Sequence, residues 1–338
     1  MTIWLVRAGK HGEREDFALA NNVAVIGWNE LPDMSGIKTR KELLELLQKT
    51  YPNEKDKTLM NWEAQLWAFI QRIKPGDLVA LPLKRRSAIA LGRVEGAYTY
   101  KGDNPSSAQH NLSVKWESEL PRAQFGQDLL YSLGSAQTVC RIERNNAEER
   151  IKNLLVGKKD TPLKPPDIAS EESGEETDFD VEQYARDQIV KYINSKFKGH
   201  DLQQLVGAIL QAQGYTIRIA PEGPDGGVDI IAGRGALGFE PPRLAVQVKS
   251  SDSPVDVGVL RELQGVMSAF GADLGLVVAW GGYRGSVEKE AARQFFKIRL
   301  WDSSDLVSML QTYYEQLPDD IQAELPLKRI WALVPEEE

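Results

Sequence analysis

One cysteine, Cys140, and three histidines, His11, His110 and His200, are all the thiol and imidazole side chains that the 338 residues contain. A single thiol excludes an intramolecular disulfide framework and fits a reducing compartment. One cysteine with three scattered histidines also excludes a zinc finger and argues against hydrolysis built on histidine. No apolar run reaches the ~18 residues that would suggest a membrane span, and no signal-like apolar core is present. The expectation is a soluble, cytoplasmic protein with no membrane partner. Positive charge is in deficit too: Lys and Arg total 41 against 49 Asp and Glu, a net charge of −8. A uniformly basic coat is therefore excluded, and any nucleic-acid contact must come from local patches.

Much of the negative charge is concentrated. Glu171, Glu172, Glu175, Glu176, Asp178, Asp180 and Glu182 form an acidic run, interleaved with or preceded by Pro162, Pro165, Pro166, Ser170, Ser173 and Gly174. Such a stretch cannot bury enough apolar surface to fold, so 157–180 is expected to be a disordered linker. It separates a domain over 1–156 from one over 181–315, with a tail over 316–338. A hydrophobic content of 42% suffices for a core in each domain. The tail segment Ile330-Trp-Ala-Leu-Val334 is apolar enough to dock, on its own domain or on a partner.

Residues 225–249 carry the most chemistry. Val228–Ala232 and Ala245–Lys249 are apolar, β-prone runs, and Gly233, Gly235, Gly238, Pro241 and Pro242 break the chain between them. An antiparallel hairpin sets Asp229 roughly opposite Lys249. Alternation puts Gln247 and Lys249 on one face, to which Asp229 can also project. A carboxylate, an amide oxygen and an ammonium then converge. The two oxygens suit Mg²⁺. The metal stabilises charge on a phosphate and helps to generate hydroxide, while the lysine positions or deprotonates the attacking water. The bland alternative is a buried strand ending in a snorkelling lysine. The flanking elements read as a helix over Asp201–Tyr215, a strand over Tyr215–Ala220, a helix over Val257–Phe270, a strand over Leu274–Trp280, a helix near Ser286–Phe296 and a strand over Ile298–Trp301. With the hairpin the order is αβββαβ, an α/β domain.

Leu205-Val206 with Gly214-Tyr215, Asp225-Gly-Gly-Val-Asp-Ile-Ile-Ala232, Val246-Gln-Val-Lys249 and Val259-Leu-Arg-Glu-Leu-Gln-Gly-Val-Met267 together resemble the Mrr family of restriction endonucleases, within the PD-(D/E)xK nuclease superfamily. The resemblance spans residues 197–312. It implies a restriction-endonuclease-like fold, cleavage of DNA with Mg²⁺ (Mn²⁺ able to substitute), and catalytic roles for Asp229, Gln247 and Lys249, with the Val248 carbonyl among the metal ligands. Many relatives carry a glutamate in the first helix where this chain has Gln203. Asp229 is then the one sure carboxylate. Asp225 is either a second or simply the turn residue of Pro-Asp-Gly.

The N-terminal domain reads as α+β: strands at Ile3–Ala8, Val23–Trp28, Leu78–Leu83, Ala88–Val94, Leu112–Trp116 and Thr138–Ile142, with helices at Glu13–Asn21, Thr39–Thr50 and Leu59–Ile73. Trp4-Leu-Val-Arg-Ala8, Val25-Ile-Gly-Trp28, Ile73-Lys-Pro-Gly-Asp-Leu-Val79 and Ile89-Ala-Leu-Gly-Arg93 resemble EVE/PUA-like domains. That implies a mixed β-barrel with peripheral helices and a part in reading DNA or a modified base. Of the eight tryptophans, Trp4, Trp28, Trp62, Trp67 and Trp116 lie here. Trp28, ending an apolar strand, is placed to line a base pocket. Trp62 shares a face with Leu66, Phe69 and Ile73 and reads as core.

Lys289, Arg293 and Lys297 recur at i, i+4, i+8 with Arg284 just before, which makes either a phosphate-binding stripe or an ordinary solvated helix face. The expected whole is a metal-dependent DNA endonuclease that restricts foreign, perhaps modified, DNA. It acts as a homodimer at least on DNA, because one site cuts one strand. A ligand- or assembly-activated defence nuclease of low specificity and a non-catalytic binding module are the alternatives.

Overall fold

The computed structural model describes residues 2–160, 180–221 and 227–331. The chain divides into two compact units, the first ending at Tyr184 and the second beginning at Ala185.

The first unit contains β1 (Ile3–Val6), α1 (Glu15–Ala20), β2 (Val23–Ile26), α2 (Arg40–Thr50), α3 (Asp56–Trp67), β3 (Leu78–Pro82), β4 (Ala88–Tyr100), β5 (His110–Pro121), α4 (Gln127–Ser132), β6 (Val139–Arg141) and α5 (Ala147–Leu155). Its six strands form one sheet in the order β2-β5-β4-β3-β1-β6. Alternation along β1 sends Trp4 and Val6 into a core beneath α2 and α3, and Ile3 and Leu5 into one beneath α4 and α5. The expected barrel does not close. The edge strands β2 and β6 are four and three residues long, and no ladder joins them. Closure requires tilted, continuously paired strands. Short edges end the sheet instead.

The expected linker begins too early and ends too late. Arg150 is buried and takes two carboxylates, Asp128 at 2.6 Å and Asp160 at 2.6 Å. One partner leaves a guanidinium's fork half filled, so Asp160 belongs to the folded unit. Asp180 is likewise tied in, 3.3 Å from Arg7 and 2.5 Å from Lys84. Residues 161–179 lie outside the described residues.

In chain order the second unit continues with α6 (Val181–Lys196), whose first turn precedes the division, α7 (His200–Ala212), β7 (Thr216–Ile219), β8 (Ile230–Arg234), β9 (Glu240–Lys249), α8 (Gly258–Phe270), β10 (Leu274–Ala279), α9 (Gly285–Arg293), β11 (Ile298–Trp301), α10 (Ser303–Tyr313) and α11 (Asp319–Glu324). The sheet order is β11-β10-β9-β8-β7. Strands β9, β10 and β11 are parallel, and β7, β8 and β9 antiparallel. β10 is apolar throughout, and β9 is buried from Leu244 to Val248 with Gln247 its one polar residue there, because the centre of a sheet with parallel strands is covered on both faces. Leu244, Val246 and Val248 pack with α7 and α10, while Ala245 packs with Leu263 and Met267 of α8. Gly275 lets α8 approach closely: a Cβ there would lie 2.7 Å from Leu263 Cδ2.

The tail is not a separate segment up to residue 325. Leu317, Ile321 and Leu325 are buried in the same core as α7. Ile330 is 68% exposed and Trp331 fully exposed, so neither packs on its own domain, the first of the two expected places. Residues 332–334, the rest of that segment, lie outside the described residues.

Candidate active site

The site forms where β8 and β9 separate. Ile230 pairs with Val246, and the backbone N–H of Asp229 donates to the Val246 carbonyl. Continued one step, this register sets Asp229 opposite Gln247 rather than opposite Lys249. The register differs by two residues from the expected hairpin, because β8 and β9 do not begin and end together. In the structure β8 begins at Ile230, and β9 runs back through Pro241 and Pro242 to Glu240.

At this fork the Asp229 side chain takes the place of the next rung. Its Oδ2 accepts from the Val248 backbone N–H at 2.6 Å. A strand residue points its N–H and carbonyl to the same side, so the Val248 carbonyl opens toward the same gap. On the other oxygen, Gln203 Nε2 in the first turn of α7 donates to Oδ1 at 2.7 Å. Gln203 in turn meets His200 Nδ1 at 2.9 Å through its own Oε1. Gln203 is thus beside Asp229, as the resemblance implied.

Gln247 is 2% exposed. Its Nε2 donates to the Gly227 carbonyl at 2.7 Å, while its Oε1 is buried with no hydrogen-bond partner. A buried amide oxygen left unmatched costs free energy unless something completes it. Lys249 shares the face of Ala245 and Gln247. Its ammonium stands 3.8 Å from Glu262 Oε2 on α8, beyond hydrogen-bonding reach. Glu262 was not singled out from the sequence, although it lies in the Val259–Met267 motif.

The donor set fits a hard divalent cation. The Asp229 carboxylate, the unmatched Gln247 Oε1 and the Val248 carbonyl are three oxygens at one fork, the ligand type Mg²⁺ and Mn²⁺ take. Among the described residues no three His, Cys, Asp or Glu side chains cluster in a way that could hold a metal. Asp225, the candidate second carboxylate, lies outside the described residues.

The basic stripe is not continuous. α9 ends at Arg293. The Gln294 carbonyl then accepts from both Lys297 and Ile298, turning the chain into β11. Lys297 is therefore off the helix, and Arg284 precedes it. Lys289 and Arg293 remain one turn apart, with Arg293 paired to Glu290 at 3.1 Å. The periodicity was read through a turn that exposed Phe295 and Phe296 mark.

Trp28 lies in the wall of a cavity of about 330 Å³ in the first unit, with Arg7, Tyr51, Trp62, Gln65 and Gln137 among the other lining residues. Its φ of 59° is rare for a bulky residue. The Trp28 and Trp62 rings meet edge to face at 6.1 Å, and Tyr51 and Trp62 at 5.0 Å. Trp62 packs in the core, as read, but also reaches the cavity, and its Nε1 is buried without a hydrogen-bond partner.

Residues 194–310 match the family described as Restriction endonuclease, Mrr_cat, and the second unit carries that domain. Residues 4–143 match a domain of unknown function, DUF8426. No curated protein matches the chain. Similar solved structures include the DNA modification-dependent restriction endonuclease AspBHI, at 15% identity and TM-score 0.34 over 90% of this chain and 79% of that one. The MspJI restriction endonuclease in complex with a 27-mer oligonucleotide matches at 13% identity and TM-score 0.33, over 96% and 79%. A protein of unknown function, AF1548, matches at 13% identity and TM-score 0.27, covering 33% of this chain. The chain spans 64% of the length of the AF1548 protein. Scores of that size leave the functional reading to the family match and the site's own geometry.

Proposed function

We propose that this chain is a restriction-type DNA endonuclease. It hydrolyses phosphodiester bonds with Mg²⁺, or Mn²⁺ in its place, held by Asp229, Gln247 Oε1 and the Val248 carbonyl. The single observation that carries this is the buried, unmatched Oε1 of Gln247, the residue across the β8–β9 register from Asp229, inside the segment that matches the nuclease family. When bound, the cation offsets the phosphate's charge and makes water acidic enough to attack.

The chain's own residues prepare the site. Val248 N–H and Gln203 Nε2 hold both Asp229 oxygens, so the carboxylate needs no reorientation when substrate arrives. Gln247, fixed through Gly227, keeps its oxygen turned away from competing donors. Lys249 is only loosely held by Glu262 and is free to contact the scissile phosphate or the attacking water. Arg284, Lys289 and Arg293 contribute to holding the DNA backbone as separate contacts rather than as one stripe.

In this reading the first unit selects the substrate. Its cavity offers aromatic faces at Trp28 and Trp62 for stacking and the amide of Gln137 for a base edge, which are the needs of a pocket for an extruded, modified base, while Gln65 is held by Asn61 and the Val139 N–H and shapes the wall. Double-strand cleavage then takes two protomers on the DNA, and restriction of foreign DNA places the protein in the cytoplasm. The test is incubation of the full chain with Mg²⁺ and plasmid with or without modified cytosine or adenine. Cleavage of one plasmid and sparing of the other supports the whole reading. Equal cleavage removes the reader role, and no cleavage with either Mg²⁺ or Mn²⁺ removes the nuclease.

A further inference from the structure

The amide of Gln203 is two-sided, and only one side suits Asp229. A carboxylate only accepts hydrogen bonds, so the group 2.7 Å from Asp229 Oδ1 must be the NH₂ of Gln203. The group 2.9 Å from His200 Nδ1 is then the amide oxygen, and His200 Nδ1 must carry the hydrogen. His200 and Gln203 stand three residues apart at the start of α7, where side chains at that spacing meet. The Asp229 end of the chain His200–Gln203–Asp229–Val248 thus sets the amide orientation, and the Nδ1–H tautomer of His200 is the one that matches it.

This matters because a cation at the fork would favour the opposite one. Positive charge beside Asp229 attracts the amide oxygen of Gln203, and a free amide would turn toward it, withdrawing its hydrogen bond from Oδ1. A donor on the far side of Gln203 opposes that turn.

We propose that His200 is a positioning residue of the metal site. By donating from Nδ1 to Gln203 Oε1 it locks Gln203 as a donor to Asp229, and so aligns the one described carboxylate that holds the cation. Gln203 is consequently a support for Asp229 and not a metal ligand. The inference rests on the nuclease reading for the identity of the cation. Removing a group that hydrogen-bonds a metal ligand directly costs a site roughly 10- to 100-fold in affinity, and His200, one contact further out, is expected at the lower end, about tenfold.

The test uses the full chain without DNA, reading Mn²⁺ binding by electron paramagnetic resonance together with the ¹⁵N shifts of His200. The wild type should bind Mn²⁺ and show hydrogen on Nδ1 with Nε2 bare. His200→Leu should bind roughly 10-fold more weakly or worse, and His200→Asn, whose amide nitrogen replaces Nδ1 as donor, should recover most of the loss. Equal binding by wild type and His200→Leu, or hydrogen on Nε2 alone, overturns the proposal while leaving the nuclease reading intact. Absence of Mn²⁺ binding in the wild type overturns both. His200 opens its helix and is only half-buried, and His200→Asn removes less bulk than His200→Leu. If His200→Leu does not fold, His200→Asn binding Mn²⁺ about 10-fold or more weakly than wild type overturns the proposal, and binding closer to wild type than that sustains it.

Discussion

Gln203 Nε2 donates to Asp229 Oδ1 across 2.7 Å, so α7 presents an amide to the carboxylate at the β8–β9 fork. Gln203→Glu should bring two carboxylates together. Without metal that costs about 1–2 kcal/mol of stability, since like charges at contact disfavour ionisation. With Mg²⁺ the added carboxylate should lower the half-saturating concentration on the order of tenfold, the equivalent of ~1.4 kcal/mol. Thermal unfolding in EDTA and across a Mg²⁺ series reads both effects. Unchanged melting in EDTA contradicts the contact.

Lys249→Ala should lose about 10²- to 10⁴-fold in cleavage rate, the usual worth of a positioned proton-transfer group. The fold should survive, because the side chain is 39% exposed and its partner Glu262 is 3.8 Å away. A plasmid-nicking assay beside circular dichroism separates the two. Full activity in this variant rules out the role.

How much of this was legible in the sequence depends on range. The order of elements around the hairpin was readable because β10 and the Leu244–Val248 stretch of β9 are largely apolar on both faces and α7 and α8 are amphipathic, and β11 falls where expected. Gln203, Asp229, Gln247 and Lys249 were readable as residues. Their register was not, since Pro241 and Pro242 look like breakers yet lie within β9. The linker's ends were misjudged because Asp160 and Asp180 look like solvated acids until Arg150, Arg7 and Lys84 are brought to them from elsewhere in the chain. His200 was dismissed on a count of histidines, although its spacing from Gln203 was a usable signal.

Arg150→Ala should destabilise the first unit by about 3–5 kcal/mol, because it removes the cation shared by two buried carboxylates. The side chains of Asp128 and Asp160 are 2% and 1% exposed. Adding Asp128→Asn and Asp160→Asn should return part of the loss. Urea unfolding followed by tryptophan fluorescence checks this. A loss no larger than that of exposed Arg293→Ala refutes it.

Asp305 supplies a pH dependence. Asp305 is exposed by surface area, yet desolvation of its carboxyl in the first turn of α10 and the neighbouring Asp302 push it up to about 6, against backbone donation from Asp302. The folded state therefore holds this proton more tightly than the unfolded chain. Its contribution is greatest below the unfolded value near 4 and is lost as pH rises through about 6. Asp305→Asn keeps an acceptor for the Asp302 N–H and removes the titration. Relative to wild type it should gain on the order of 1 kcal/mol between pH 4.5 and 7, allowing for solvent screening. Urea midpoints at the two pH values measure the difference, and a constant offset would contradict the assignment.

Trp28→Gly tests the reader. Glycine accepts the φ of 59° freely, so the backbone is relieved while the ring is removed. Stacking on one base is worth roughly 1–3 kcal/mol, so preference for the selected DNA should weaken about five- to a hundredfold. Mn²⁺ binding at the second unit should not change. Retained preference assigns the cavity another role.

The central claim is that Asp229 holds a catalytic cation. The direct measurement is the cleavage rate of wild type and Asp229→Asn on the preferred plasmid as Mg²⁺ is titrated from an EDTA-treated start. The account expects saturable activation of the wild type, complete loss in EDTA, and at least about 10³-fold less cleavage by Asp229→Asn at every Mg²⁺ concentration, within the range that electrostatic groups supply to catalysis. Cleavage by Asp229→Asn at the wild-type rate, or wild-type cleavage indifferent to EDTA, would contradict it.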